Sequence, residues 1–104
     1  MKKLLILSLL LISLTGCQDE QKRFCTEATT QLCTLCEQCG DFKSCGLTRV
    51  NNRAECINTL ANVCSAYDSL YSKEVSRACM QGIQQLNCET LKATGKPEVC
   101  TRLF

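Results

Sequence analysis

Eleven cysteines in 104 residues constrain this chain more than any other feature. A chain this short buries a modest share of its surface, so its hydrophobic core alone is marginal. Crosslinks are the usual remedy, each worth about 2–4 kcal/mol by restricting the unfolded chain. Cysteine at this density reads as a disulfide scaffold, which needs an oxidising compartment. Eleven is an odd number, so at least one cysteine must serve another purpose.

The first seventeen residues supply that purpose. Met1-Lys2-Lys3 is a positive start, Leu4 to Leu14 is an apolar run, and Leu14-Thr15-Gly16-Cys17 closes it. This is the pattern of a secretory signal peptide. The apolar run is too short and wrongly flanked for a transmembrane helix. The ending resembles the lipobox of bacterial lipoproteins at all four positions. That resemblance implies a signal peptide over residues 1–16, cleavage before Cys17, and acylation of Cys17, palmitate included. It implies a protein anchored by lipid in a bacterial cell envelope, with the bilayer as its first partner. Gln18 stands where aspartate resembles an inner-membrane retention signal in enteric bacteria, which favours the outer membrane, facing the periplasm. Heavy disulfide use fits the same oxidising compartment.

Setting Cys17 aside leaves ten cysteines, an even number: Cys25, Cys33, Cys36, Cys39, Cys45, Cys56, Cys64, Cys79, Cys88 and Cys100. We expect all ten to form disulfides. The mature chain, roughly 88 residues from Cys17 to Phe104, is one domain at most. Residues 17–23 form a lipidated N-terminus and a short polar tether, reaching about 20 Å when extended. Residues 24–104 form the cysteine-rich domain.

Composition excludes several functions. Lys2 and Lys3 leave with the signal peptide, so acidic and basic side chains of the mature chain balance. There is no basic block to meet nucleic acid or an anionic membrane surface. Histidine is absent, which removes the commonest general base and the commonest metal ligand. Tryptophan is absent too, and the five aromatic residues supply little stacking surface.

Apolar periodicity predicts helices throughout. Cys25, Ala28, Leu32, Leu35, Cys36 and Cys39 share one face of a first helix running from about Asp19 to Cys39, with Gly40 as its terminator. Asp41 to Val50 reads as a loop. Asn52-Arg53-Ala54-Glu55 has the form of a capping box and opens a second helix, whose stripe is Cys56, Leu60, Val63, Cys64 and Tyr67. Ser65 to Tyr71 makes the connection. Ser72 caps a third helix with Glu74 in its first turn and a stripe of Val75, Cys79, Ile83 and Leu86. Gly82 inside it costs about 1 kcal/mol relative to alanine. Gly95 breaks the chain, and Pro97 suits the first position of a short last helix. No stretch alternates as a strand would. The fold class is therefore all-α: a small disulfide-stapled bundle of three helices plus a short C-terminal helix.

Cys56 and Cys64, then Cys79 and Cys88, lie about two turns apart. An antiparallel hairpin of helices two and three would join Cys64 to Cys79 and Cys56 to Cys88. Over about 33 residues this is similar to the coiled-coil-helix hairpins of the mitochondrial intermembrane space, a shared physical solution in which the gaps are nine residues rather than seven and eight. Cys100 is expected to staple the last helix to the first. Ten cysteines allow about 945 pairings, and sequence does not choose among them.

Cys33-Thr34-Leu35-Cys36-Glu37-Gln38-Cys39 is the one local motif that invites chemistry. The preferred reading is structural, with three cysteines bridging to different neighbours. A metal site is the second reading. The run resembles part of a bacterial ferredoxin motif, but Cys45 comes later than that motif requires. A zinc site would need Cys45 as fourth ligand, and inward thiolates would suit Cu(I). Thiol–disulfide exchange is the third. It is disfavoured because these cysteines sit at a helix C-terminus beside Glu37, where the thiol pKa rises. The carboxylates, among them Glu27, Glu37, Asp41, Glu55, Asp68, Glu74, Glu89 and Glu98, read as solvated surface. Tyr67 and Tyr71 read as packing against the bundle end, and Leu103-Phe104 as a plug for the core. The expected function is a non-enzymatic structural or protein-interaction module, with no cofactor, no metal and no nucleic acid; the alternatives are copper or zinc binding and thiol–disulfide exchange.

Overall fold

A computed structural model describes the backbone of residues 2–66 and 71–104 and the side chains of residues 20–66 and 71–104. The lipobox side chains, Cys17 included, and Tyr67 and Asp68 lie outside the described side chains. Every regular element among the described residues is helical: α1 (Lys2–Cys39), α2 (Arg53–Ala66), α3 (Lys73–Gln84) and α4 (Cys88–Thr94), with 3-10 turns at Lys43–Cys45 and Glu98–Arg102. The all-α class stands. Helix α1 extends further N-terminally than the Asp19 start that the periodicity predicts, and it takes in residues 18–23, the segment also read as a polar tether. Nothing in Gln18-Asp19-Glu20-Gln21-Lys22-Arg23 breaks a helix.

Local chemistry sets most boundaries. Gly40 adopts φ 65°, and the Gly40 N–H donates to Glu37 O while Asp41 N–H donates to Cys36 O. This is the paired C-terminal closure that a left-handed residue makes possible. At α2 the Asn52 side chain accepts from Glu55 N–H at 2.9 Å, and the Glu55 carboxylate reaches back to Asn51 N–H at 3.0 Å. At α3 Ser72 Oγ accepts from Val75 N–H at 3.0 Å. Capping of this kind is worth about 1 kcal/mol per helix.

The third helix is shorter than its apolar stripe suggests. It ends at Gln84, and Asn87 opens a separate helix. The cause is a reciprocal cap: Asn87 Oδ1 accepts from Thr90 N–H while Thr90 Oγ1 accepts from Asn87 N–H, each at 2.9 Å. Asn87 is thereby held extended, at φ −130° and ψ 179°. Cys88 therefore begins α4 rather than continuing α3. The expected last helix is a 3-10 turn preceded by Pro97.

Helix α1 is the element on which the others converge. It runs antiparallel to α2, because Cys25 joins Cys64 while Cys33 joins Cys56. It runs parallel to α3. Glu20, near the middle of α1, meets Lys73 at the start of α3, and Leu35 and Gln38 near the end of α1 lie beside Ile83 and Leu86 around the end of α3. Ala28, Leu32, Leu60, Ile83 and Leu91 fill the core with eight half-cystines. Buried Thr29 satisfies its hydroxyl locally, donating to Cys25 O at 2.6 Å. Leu103 and Phe104 close the core, as expected of an apolar terminal pair. Lys96 Nζ donates to Phe104 O and lies 5.6 Å from the Phe104 ring centre. Partial burial there pushes the Lys96 ammonium below its usual pKa. Tyr71 packs on Phe24, with ring centres 6.0 Å apart.

Gly82 has a definite reason. A Cβ at this position would meet Pro97 Cβ at 2.9 Å and Cγ at 3.0 Å. Cys79 and Gly82, three residues apart on α3, receive Cys100 and Pro97, three residues apart on the terminal segment. The terminal segment is thus fixed at two points. Gly82→Ala gains about 1 kcal/mol of helix preference but overlaps a rigid ring, at a cost of about 1–3 kcal/mol. We expect net destabilisation in urea unfolding with the bridges intact, and a smaller penalty when Pro97→Gly is present. A stabilised single variant would contradict the contact.

Candidate functional site

The cysteines are the candidate site, and the structure gives each of the ten described ones, Cys25 to Cys100, a partner. Cys25–Cys64 and Cys33–Cys56 tie α1 to α2, with Cα atoms 5.7 and 5.8 Å apart. Cys36–Cys45, at 6.5 Å, fixes the loop after α1. Cys39–Cys88, at 5.4 Å, ties the end of α1 to the start of α4. Cys79–Cys100, at 4.8 Å, fastens the terminal segment to α3. All five separations lie within the span a disulfide allows.

This connectivity differs from the hairpin expectation. Cys64 does not join Cys79, Cys56 does not join Cys88, and Cys100 reaches α3 rather than α1. The doubly bridged antiparallel pair exists, but it is α1 with α2. A signal for it was present in the sequence. Cys25 and Cys33 are separated by the same seven residues as Cys56 and Cys64. Equal steps of about 12 Å on two antiparallel helices bring both pairs into register at once. Cys79 and Cys88 have a longer gap, and they belong to different helices.

The C-x2-C-x2-C run is not a cluster of thiols. Cys33, Cys36 and Cys39 project to α2, to the following loop and to α4 respectively, and none bridges to another. Metal binding and thiolate chemistry both need a deprotonated sulfur, and a sulfur held in a bridge cannot supply it. Among the described residues no group of three or more His, Cys, Asp or Glu side chains is placed to hold a metal ion.

Among the described residues, Glu20 and Glu27 share one groove beside α1, and the other carboxylates are spread over the surface. Glu27, Glu37, Glu74, Glu89 and Glu98 are exposed, and Asp68 lies outside the described residues. Glu20 pairs with Lys73 at 3.6 Å, both well exposed, a pair worth at most about 1 kcal/mol. Asp41 has a structural task. Its Oδ2 accepts from Ser44 Oγ at 2.6 Å and its Oδ1 from Ser44 N–H at 3.1 Å, which fixes the turn that carries Cys45.

Two open grooves follow the seam between α1 and α3. One, between the middle of α1 and the start of α3, is lined by Phe24, Tyr71 and Met80 and by Glu20, Arg23 and Arg77. The other lies between Thr34, Leu35 and Gln38 of α1 and Ile83 and Leu86. Glu27 and Ser76 also line the first groove, and both grooves are open rather than the enclosed clefts that bury a small substrate. Among the described residues no helix is long and apolar enough to cross a membrane.

The hydrogen bonds from the Ser44 hydroxyl and then from its N–H, with help from Lys92 and Lys43, hold the Asp41 carboxyl below its ordinary value of 3.8. Its ionised form is favoured by the fold, so its contribution is present above 3.8 and fades as pH falls through the lower folded-state value. Titration of the Asp41 carboxyl carbon by NMR should show the depressed value, and Ser44→Ala should raise it towards the ordinary one. An unchanged titration in that variant would contradict the assigned cause.

Comparison with protein-family models, with characterised proteins and with solved structures finds no match to this chain.

Proposed function

We propose that this chain is a bacterial lipoprotein: a disulfide-stapled helical module, anchored by lipid at Cys17 in the outer membrane and facing the periplasm, that acts without catalysis as a structural or protein-interaction element. The observation that carries the reading is the cysteine arithmetic. The five bridges account for every cysteine from Cys25 to Cys100, and the residue left over stands at the lipobox. The bonded sulfurs and the absence of histidine support a non-enzymatic role.

Under this reading the mature chain begins within α1. The end of the domain carrying Phe24 and Tyr71 lies next to the bilayer. The loop after α1 and α4 lie about 30 Å away along the helix axis, where a partner can reach them. The domain then works as a rigid spacer that presents its outer end to other envelope proteins.

The test is the mass of the protein purified from membranes of an expressing bacterium. A diacyl or triacyl adduct on Cys17, with ten alkyl groups added only after reduction, is the expected result. Cys17→Ser should leave the protein in the soluble or unprocessed fraction. An unmodified chain that keeps residues 1–16 would contradict the reading.

A further inference from the structure

The five bridges divide the chain into two covalent halves. Cys25–Cys64, Cys33–Cys56 and Cys36–Cys45 all close within residues 25–64. Cys79–Cys100 closes within residues 79–100. Cys39–Cys88 alone joins the first half to the second. The same bridge stands apart in exposure. The eight other half-cystines expose at most 2 % of their surface, whereas Cys88 is exposed and Cys39 is half-buried.

Exchange with an external thiol requires that a thiolate reach a bridge sulfur. Four bridges lie between residues that are both buried while the fold persists, and the fifth lies between an exposed residue and a half-buried one. We propose that Cys39–Cys88 is a thiol-exchange site, and that its opening by an external dithiol uncouples the α3–α4 half of the molecule from the α1–α2 half. The first thiolate of the dithiol attacks Cys88 Sγ. The new sulfur–sulfur bond forms as the Cys39–Cys88 bond breaks, and its electron pair leaves on Cys39 Sγ, which takes a proton from water. The second thiolate then displaces Cys88 Sγ, so two electrons pass to the bridge and the dithiol departs as its own disulfide. Afterwards the halves are joined by the 65–78 segment, by the Glu20–Lys73 ion pair and by apolar packing of Ile83 and Leu91 against α1 and α2. The inference does not depend on lipidation at Cys17. It also differs from exchange within the C-x2-C-x2-C run, whose members are not bonded to one another.

The experiment is limited reduction of the folded protein with substoichiometric dithiothreitol, quenching with N-ethylmaleimide, and peptide mapping. Cys39 and Cys88 should be labelled first, at least about tenfold faster than any other pair. Hydrogen exchange on the partly reduced protein should rise in α3, α4 and the terminal segment while α1 and α2 keep their protection. Labelling that begins at another pair, or in all five together, overturns the proposal, as does a rise in exchange spread evenly over both halves. A double variant, Cys39→Ser with Cys88→Ser, keeps four bridges and should release no thiol in the fast phase. A fast phase that survives in it also overturns the proposal. Should that variant not fold, the labelling order in the unaltered protein decides the matter alone.

Discussion

The register between α1 and α2 is the constraint on which the rest of this structure depends. Two bridges, Cys25–Cys64 and Cys33–Cys56, fix it at points two helical turns apart. One bridge would let the helices pivot, and two remove that freedom. With α1 and α2 locked, Ala28, Leu32 and Leu60 become a wall against which α3 and α4 deposit Ile83 and Leu91. By chain entropy each bridge is worth about 2.5–4 kcal/mol, more for the longer loops. That is large against the marginal stability of a domain this small. The cysteines also act as ordinary core residues, since eight half-cystines occupy positions that a larger protein would fill with leucine or valine.

The second half of the chain is assembled differently. Its internal bridge, Cys79–Cys100, works together with the fit of Gly82 to Pro97, so shape and a covalent bond act on adjacent turns of one helix. Leu103 and Phe104 then cover the core. This half touches the first through apolar side chains, through the exposed Glu20–Lys73 ion pair and through one exposed bridge. The molecule thus has a heavily crosslinked part and a lightly crosslinked part, and the link between them is the one that solvent can reach.

What the sequence made legible was local. Gly40, Asn52 and Ser72 announce their helix ends because each boundary is made by one residue acting on backbone groups three or four positions away. The α4 boundary escaped because Thr90 replaces the usual acidic or amide residue in the box with Asn87, and the apolar stripe ran on through Leu86. Pairing escaped for a deeper reason. A disulfide joins residues that tertiary packing brings together, and helical periodicity says which face a cysteine occupies without saying which helix lies opposite. The equal gaps Cys25 to Cys33 and Cys56 to Cys64 were the exception, because equal rise is a geometric condition on two antiparallel helices. Gly82 could be marked as costly in a helix, but Pro97 as its partner lies fifteen positions away and leaves no local trace.

The account rests on the connectivity, so the direct measurement is disulfide assignment in the unreduced protein by proteolysis and electron-based fragmentation, which resolves the four cysteines close together in α1. The structure predicts Cys25–Cys64, Cys33–Cys56, Cys36–Cys45, Cys39–Cys88 and Cys79–Cys100. Recovery of Cys64–Cys79 and Cys56–Cys88 instead would mean that α2 pairs with α3 rather than with α1, and the register described above would be wrong.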